Sequence, residues 1–194
     1  MSSYLDRIGA GFILNKPEVF GFDYVPEILV GREELQGQLA SLFTTIGHPE
    51  GTGRAVVTGP VGSGKTALVK RFCDDLIRHV ADKRNIKYVH VNCRNASTAS
   101  RVMQKIVQDL DPGHPDRGLG VGELLTSLRR MLQGDNSHII VVLDEVDHLL
   151  RHSGDDIIYK LMRIDEDGNR TGTLSAILIS QEQVLDWLEN AVIS

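Results

Sequence analysis

The sequence predicts an α/β fold in which a parallel sheet is flanked by helices. Short apolar segments of strand character alternate along the chain with longer segments whose apolar residues recur at helical spacing. Segment 139–143 is an unbroken apolar run, which is typical of a strand buried on both faces of a parallel sheet. A glycine-rich turn, 59–66, stands between a strand segment and a helix segment, as in strand–turn–helix units that bind phosphate.

Composition limits the possible classes of protein. The chain has 194 residues, which suits one domain, and 41% hydrophobic with 24% charged residues is ordinary for a globular protein. No apolar run approaches a membrane span, and the N-terminus lacks a signal-peptide core, so we expect no membrane partner and a cytoplasmic, nucleoid-associated location, or a nuclear one in a eukaryote. The net charge of −5 means that any DNA contact must come from a local patch or from segments outside this chain.

The first quarter of the chain divides into an arm and the start of a domain. Residues 1–23 show little periodicity and are predicted to form an N-terminal arm, with the domain spanning 24–194. Pro26 and Gly31 mark turns before a helix predicted at 33–46, and a strand at 55–58 leads into the glycine-rich turn.

Strands and helices are predicted to alternate through the rest of the chain. We expect helices at 66–80, 97–110, 121–133, 154–164 and 183–192, and strands at 86–91, 139–143 and 174–179.

The glycine-rich turn carries the strongest chemical signal. It matches G-x-x-x-x-G-K-[ST] at every fixed position and consists of Gly59, Pro60, Val61, Gly62, Ser63, Gly64, Lys65 and Thr66. Glycines let successive backbone N–H groups point at a phosphate chain, and the helix N-terminus adds partial positive charge. We expect Lys65 to reach the outer phosphates and the Thr66 hydroxyl to bind Mg²⁺, with ATP or ADP as the ligand. A turn that binds nothing is the alternative, and the strand before and helix after argue against it.

Two acids follow the unbroken apolar strand. Asp144 and Glu145 stand at its carboxyl end, which is where ligands bind in open α/β sheets. Asp144 is predicted to bind Mg²⁺, mostly through water, and Glu145 to polarise an attacking water molecule. The alternative is a buried strand that ends in two solvated acids.

The cysteines and one histidine pair have simpler interpretations. Cys73 and Cys93 form no CxxC pair and are predicted to be packed, reduced thiols. His148 and His152 are four residues apart on a predicted helix, but no further zinc ligands accompany them, so we interpret them as surface histidines.

From about residue 24 to 182, the chain resembles the replication-initiator ATPases of the origin-recognition and cell-division-control type, within the AAA+ superfamily. The P-loop and the acid pair indicate AAA+ in general, and further segments resemble the initiators, most closely the compact archaeal members. These segments are 24–27 with 31–33, 91–94, 117–119, 143–149 and 158–164.

The resemblance implies roles for further residues. Pro26, Val30 and Arg32 would line the adenine pocket. The helix at 97–110 would lie in the initiator-specific insertion, which contacts origin DNA in the family. Gln181 matches the γ-phosphate sensor at the end of the fourth strand, a position that is usually Asn, and we expect this difference to affect hydrolysis more than binding.

Family members continue beyond the point matched by the end of this chain. They have an arginine finger, a fifth core strand, a helical lid with a sensor arginine and a winged-helix domain. The expectation is therefore an AAA+ core truncated before the fifth core strand and lid, with an unpaired edge on the P-loop strand.

The resemblance implies an ATP-binding DNA replication initiator that acts in origin recognition and helicase loading as an ATP-controlled switch. Its partners would be origin double-stranded DNA (mainly through the missing C-terminal domain), paralogous initiator subunits and the replicative helicase. We expect slow ATP hydrolysis by the full-length protein and little by residues 1–194 alone. The alternatives are a nucleotide-binding scaffold with little hydrolysis and a small-molecule P-loop kinase.

Overall fold

The computed structural model describes residues 25–26, 29–115, 118–133, 137–164, 172–181, 184 and 188. Within them, the strands are β1 (Arg54–Thr58), β2 (Asn85–Asn92), β3 (Ser137–Asp144) and β4 (Thr173–Ser180). The helices are α1 (Glu33–Leu42), α2 (Lys65–Val80), α3 (Ala99–Leu110), α4 (Val121–Met131), α5 (Val146–Ser153) and α6 (Asp156–Met162). None of these helices is long and apolar enough to cross a membrane.

The four strands form one sheet in the order β1-β4-β3-β2, and every described pairing is parallel. β3 and β4 are buried along their whole length, as their nearly continuous apolar sequences predict. Among the described strands, β1 pairs on one side only, with β4. The predicted α/β class with a parallel sheet and flanking helices is confirmed.

Helices cover both faces of the sheet, so the molecule has three layers. Alternate residues of β3 point to opposite faces: Ile140 and Val142 pack with α1 and α2, whereas Ile139 and Val141 pack with the helices α3 to α6. Each layer of helices presents an apolar stripe to the sheet. The side chains that form these stripes are Leu39, Leu68, Val69 and Phe72 on the first face and Val102, Met103, Ile106, Leu124, Leu128, Leu149 and Ile158 on the second.

The structure differs from the sequence prediction at some helix boundaries. α1 ends at Leu42 rather than near residue 46, yet Phe43 and Ile46 remain buried, and the Phe43 ring packs edge-on against that of Phe72 with centroids 5.2 Å apart. Phe43 and Ile46 lie in the turns after α1 and are buried at a spacing that resembles a helix. The apolar pattern therefore predicted a helix longer than the one observed. α5 is a separate helix directly after the acid pair, divided from α6 by Gly154. The predicted arm at 1–23 lies outside the described residues, as does the predicted last helix apart from residues 184 and 188.

A cluster of buried polar groups closes the amino-terminal end of the sheet. Arg84 is only 2% exposed, and its guanidinium donates hydrogen bonds to the carbonyls of Ile46, Pro49 and Gly51 and to the hydroxyl of Thr173. Arg84 thus holds the connection between α1 and β1 against the sheet. Buried carbonyls need donors, so this contact satisfies the loop backbone.

His138 belongs to the same cluster. Its ring is fully buried, with Nδ1 2.8 Å from the Thr173 hydroxyl and Nε2 2.9 Å from the Ser175 hydroxyl. Burial, reinforced by the positive charge of Arg84, lowers the pKa of His138 from 6.5 to about 3. The imidazole is therefore neutral in the folded protein at neutral pH.

This burial predicts a pH-dependent stability. Between pH 6.5 and 3 the unfolded state binds a proton at residue 138 that the folded state does not, so folding weakens as the pH falls through that window. We expect His138 to remove about 2 kcal/mol of unfolding free energy between about pH 7 and pH 5. Urea unfolding should show a smaller loss in His138→Gln and an unchanged loss in the control His79→Gln, which alters an exposed histidine. Equal pH dependence in all three proteins would contradict this prediction.

Candidate nucleotide-binding site

The parallel sheet brings the predicted site residues to one edge. The carboxyl ends of all four strands lie together, because the strands run in the same direction. β1 leads into the P-loop at this edge, β2 ends at Asn92, β3 ends at Asp144, and β4 ends at Ser180. Ligands of open α/β folds bind outside such an edge.

The P-loop has the backbone that a phosphate-binding turn requires. Gly62 and Gly64 have φ angles of 76° and 81°, which side-chain-bearing residues rarely adopt. Gly64 precedes α2, and no side chain caps the start of that helix. The first N–H groups of α2 are thus available to an anion, and the helix dipole favours negative charge at the same place.

Lys65 and Thr66 stand in the first turn of α2. The Lys65 ammonium donates to the carbonyl oxygens of Gly59, at 2.8 Å, and Pro60, at 2.9 Å, so it lies over the loop. The Thr66 hydroxyl donates to Asp144 Oδ2 at 2.7 Å. This hydrogen bond joins the P-loop helix directly to the end of β3 and brings together the two predicted metal ligands.

Asp144 is buried but held as a carboxylate. Burial alone would raise its pKa, but hydrogen bonds from His90 and Thr66 and from the backbone N–H of Glu145 outweigh that effect and lower it. His90 Nε2 lies 3.1 Å from Oδ2, and the Glu145 N–H is 2.9 Å from Oδ1. The negative charge is therefore retained at neutral pH beside the P-loop.

Glu145 has a left-handed backbone conformation, and a hydrogen bond fixes one of its two carboxylate oxygens. Its φ of 53° makes it the only non-glycine residue in the described part of the chain with a positive φ. The side-chain amide of Asn92 donates to Glu145 Oε1 at 2.9 Å, and Asn92 Oδ1 in turn accepts from the backbone N–H of Arg94. Glu145 Oε2 is buried without a hydrogen-bond partner among the described residues, although Arg94 and His148 nitrogens lie 3.9 and 3.7 Å away.

A cavity of about 310 Å³ lies against the outer side of the P-loop. Gly62, Gly64, Lys65 and Thr66 line it, together with Val25. Arg32 donates to the carbonyl of Ser63 at 2.6 Å and so supports the loop backbone.

None of the three residues predicted to contact adenine lines this cavity. Pro26 is partly buried, whereas the Val30 side chain is 87% exposed and does not line the cavity. Val25, which was not among the residues predicted to contact adenine, does line it. The roles of Pro26, Val30 and Arg32 toward adenine remain predictions.

A second cavity, of about 810 Å³, lies on the α3 side of the acid pair. Its floor includes Thr66, Asp144 and Glu145, and its outer wall is the polar face of α3 with Arg101 and Lys105. Gln181 directly follows β4 and is exposed. Its neighbour Ser180 donates to Asp147 at 3.0 Å and ties the end of β4 to α5.

The oxygen atoms at the P-loop fit a magnesium ion. Because the Thr66 proton is directed to Asp144, the lone pairs of the hydroxyl oxygen remain for a cation, and Asp144 supplies a nearby negative charge. Hydroxyl and carboxylate oxygens are the ligands that Mg²⁺ prefers. No group of three or more His, Cys, Asp or Glu residues suited to a metal occurs in the described parts of the chain, so a site here would depend on phosphate oxygens and water as well. His148 and His152 accordingly have no zinc cluster around them there.

Residues 48–188 match the family model of an AAA domain. The ORC1-type DNA replication protein 2 of Saccharolobus solfataricus is 35% identical over 166 residues, which cover 82% of this chain and 40% of that protein. The structure of the Aeropyrum pernix ORC1 protein in complex with DNA is 29% identical with a TM-score of 0.72, covering 90% of this chain and 45% of that one.

A second structure supports the fold alone. The Aeropyrum pernix ORC2 protein in its ADPNP–ADP complexes is 22% identical, with a TM-score of 0.74, over 86% of this chain and 45% of that one. The chain thus spans less than half of the length of each of these three relatives.

The P-loop geometry predicts opposite effects for two Gly→Ala substitutions. A Cβ at residue 64 would meet no neighbouring atom, so Gly64→Ala tests the left-handed backbone alone, at a cost of about 1–2 kcal/mol. Gly37→Ala also adds its Cβ to open space, but in the interior of α1 with ordinary helical φ. We expect it to stabilise the protein by about 0.5–1 kcal/mol. Urea unfolding that gave both variants the same sign would disagree with this geometry.

Proposed function

Because the chain belongs to the AAA+ family, in the group of archaeal ORC1-type replication proteins, we propose that it is the ATP-binding domain of a DNA replication initiator that works as an ATP-controlled switch. The observation that carries the proposal is the hydrogen bond between Thr66 and Asp144 at 2.7 Å. It joins a complete P-loop to an acid pair at the edge where nucleotides bind in this kind of sheet. ATP-bound and ADP-bound forms would differ in their affinity for origin DNA.

In this proposal the P-loop binds the phosphates. The backbone N–H groups of residues 59–66 enclose the phosphate chain, and Lys65 exchanges its two carbonyl contacts for oxygens of the outer phosphates. Thr66 and Asp144 would hold Mg²⁺. When bound, the ion would neutralise charge on the phosphates and fix their orientation. Arg32 keeps the loop in shape through the Ser63 carbonyl.

Glu145 is suited to accept a proton from the attacking water. Asn92 binds Oε1 and fixes the side chain, whereas Oε2 is a buried acceptor with no hydrogen-bond partner among the described residues. A water molecule placed beside Oε2 would satisfy that atom and become more nucleophilic. Asp144 takes no part in this proton transfer, because its oxygens accept hydrogen bonds from Thr66, His90 and the Glu145 backbone.

DNA binding would involve α3. Arg101 and Lys105 lie on its polar face, and both line the cavity above the acid pair. A DNA strand against this face would lie close to the nucleotide, which would let ATP binding and DNA binding influence each other. Paralogous initiator subunits and the replicative helicase are the further partners that we propose.

A nucleotide-binding scaffold with little hydrolysis is the second candidate. It is favoured by Gln181, which is exposed after β4 and longer than the usual Asn of the γ-phosphate sensor. Phosphate release measured with and without origin DNA separates the two candidates. DNA-dependent turnover supports the switch, and nucleotide binding without turnover supports the scaffold.

Lys65→Ala tests nucleotide binding. The substitution removes the cation that faces the outer phosphates, and a charge-assisted hydrogen bond is worth about 1.5–3 kcal/mol. We therefore expect ATP affinity, measured by calorimetry, to fall roughly tenfold or more. Lys87→Ala is the matched control, because Lys87 is an exposed lysine of β2 and its loss changes the net charge equally. Unchanged ATP affinity in Lys65→Ala would remove the basis of the proposed function.

A second experiment distinguishes the proposed roles of Glu145 and Asp144. Glu145→Gln keeps the hydrogen bond from Asn92 possible but loses the base, so we expect nearly parental ATP affinity and no turnover in the complete protein. Asp144→Asn should weaken the part of ATP binding that depends on Mg²⁺. The measurements are phosphate release and calorimetry with Mg²⁺ or EDTA. Turnover at the parental rate by Glu145→Gln would show that the assignment of the base is wrong.

A further inference from the structure

Two side chains of β2 form a hydrogen-bonded relay to Asp144. Tyr88, His90 and Asn92 alternate along the strand and point to the same face of the sheet. The Tyr88 hydroxyl lies 2.9 Å from His90 Nδ1, and His90 Nε2 lies 3.1 Å from Asp144 Oδ2. The relay therefore runs along β2 to Asp144 Oδ2, the oxygen that also accepts from the Thr66 hydroxyl.

The chemistry of the relay fixes its direction. Burial raises the pKa of the Tyr88 hydroxyl, which keeps its proton and can donate it to Nδ1. A neutral imidazole that accepts at Nδ1 carries its proton on Nε2. Nε2–H then donates to Asp144 Oδ2, whereas the opposite tautomer would place two lone pairs face to face.

The other hydrogen bonds to Asp144 come from a backbone N–H and from a hydroxyl group that is itself a candidate metal ligand. Oδ1 is held by the backbone N–H of Glu145, and Oδ2 by the Thr66 hydroxyl, whose oxygen is itself a candidate ligand. The His90 imidazole is largely buried, with 15% of its side chain exposed, and it is held by Tyr88. Among the side chains that donate to Asp144 in the described part of the chain, it is the one outside the P-loop and α2.

We propose that His90 is a positioning residue for magnesium: it fixes the Asp144 carboxylate through Nε2–H, and Tyr88 fixes the tautomer of the imidazole. This inference rests on the proposed function, because it concerns the same site. His90 is not a ligand in this arrangement, since its donor nitrogen carries the proton. Partners that orient metal ligands typically affect metal affinity by about 10–100-fold, and here the outer-sphere role of Asp144 places the effect near the lower value.

The experiment compares three variants of the intact protein with the parent in one buffer. His90→Phe removes the donor and keeps a ring. His90→Gln places an amide N–H close to the position of Nε2. Tyr88→Phe removes only the hydroxyl that supports Nδ1. The first measurement is the Mg²⁺ concentration that gives half of the Mg²⁺-dependent gain in ATP affinity, with EDTA as reference and Mn²⁺ in parallel.

The second measurement is made without nucleotide or metal. Nitrogen NMR of the His90 ring should show protonated Nε2 and unprotonated Nδ1 in the parent, with both tautomers present in Tyr88→Phe. The reverse tautomer in the parent would overturn the inference.

The expected binding result is an increase of about tenfold in the required Mg²⁺ for His90→Phe, a change within about threefold for His90→Gln, and unchanged affinity for ATP in EDTA. An unchanged Mg²⁺ requirement in His90→Phe would overturn the inference, as would equal losses in the Phe and Gln variants. A loss confined to Mn²⁺ would also overturn it, because that would make His90 a ligand. If the parent itself shows no Mg²⁺ dependence, the proposed metal site fails. If ATP binding by the parent depends on Mg²⁺ and the variants behave like the parent, only the proposed role of His90 is contradicted.

Discussion

The parallel pairing of β3 between β2 and β4 is the constraint on which the rest of the site depends. The register of β2 and β3 pairs Asn92 with Asp144 and His90 with Val142. The polar side chains of β2 therefore lie on the same face of the sheet as the Asp144 carboxylate. A shift by one residue would turn those side chains to the opposite face. The buried apolar residues of β3 prevent such a shift, since Ile140 and Val142 must face α1 and α2. The packing of the core thus fixes the geometry of the site.

The positive charge of Lys65 and the negative charge of Asp144 lie in the same site, and each is hydrogen-bonded to other groups. Lys65 lies against loop carbonyls, and Asp144 is surrounded by hydrogen-bond donors. Neither charge is neutralised by direct contact with the other, so in the proposed function both remain available to the nucleotide phosphates and their cation. A direct ion pair between them would have to be broken on binding and would reduce the affinity gained.

The sequence predicts the parts of this molecule that depend on local patterns. The P-loop, the buried strand β3 and the acid pair were identified from spacing and composition, and in the structure a hydrogen bond joins Thr66 to Asp144. The contacts of His90 and Asn92 with the acid pair were not predicted, because they arise from strand register, which single-sequence periodicity does not contain. Arg84 and His138 were not identified for a similar reason, since a polar residue in a strand or directly before one gives no sign that it will be fully buried. The end of α1 was misjudged because Phe43 and Ile46 are buried without being helical.

The left-handed backbone conformation of Glu145 costs folding stability at a position where the proposed function needs a carboxylate. A residue with a Cβ gives up about 1–2 kcal/mol in this conformation, and glycine or asparagine adopts it more easily. Selection of this domain for heat resistance alone would consequently favour the loss of the acid at position 145. In the proposed function, the turn from β3 into α5 keeps this conformation because a carboxylate is needed beside Asn92. Glycine or asparagine at this position would then mark a relative that folds well but does not hydrolyse ATP.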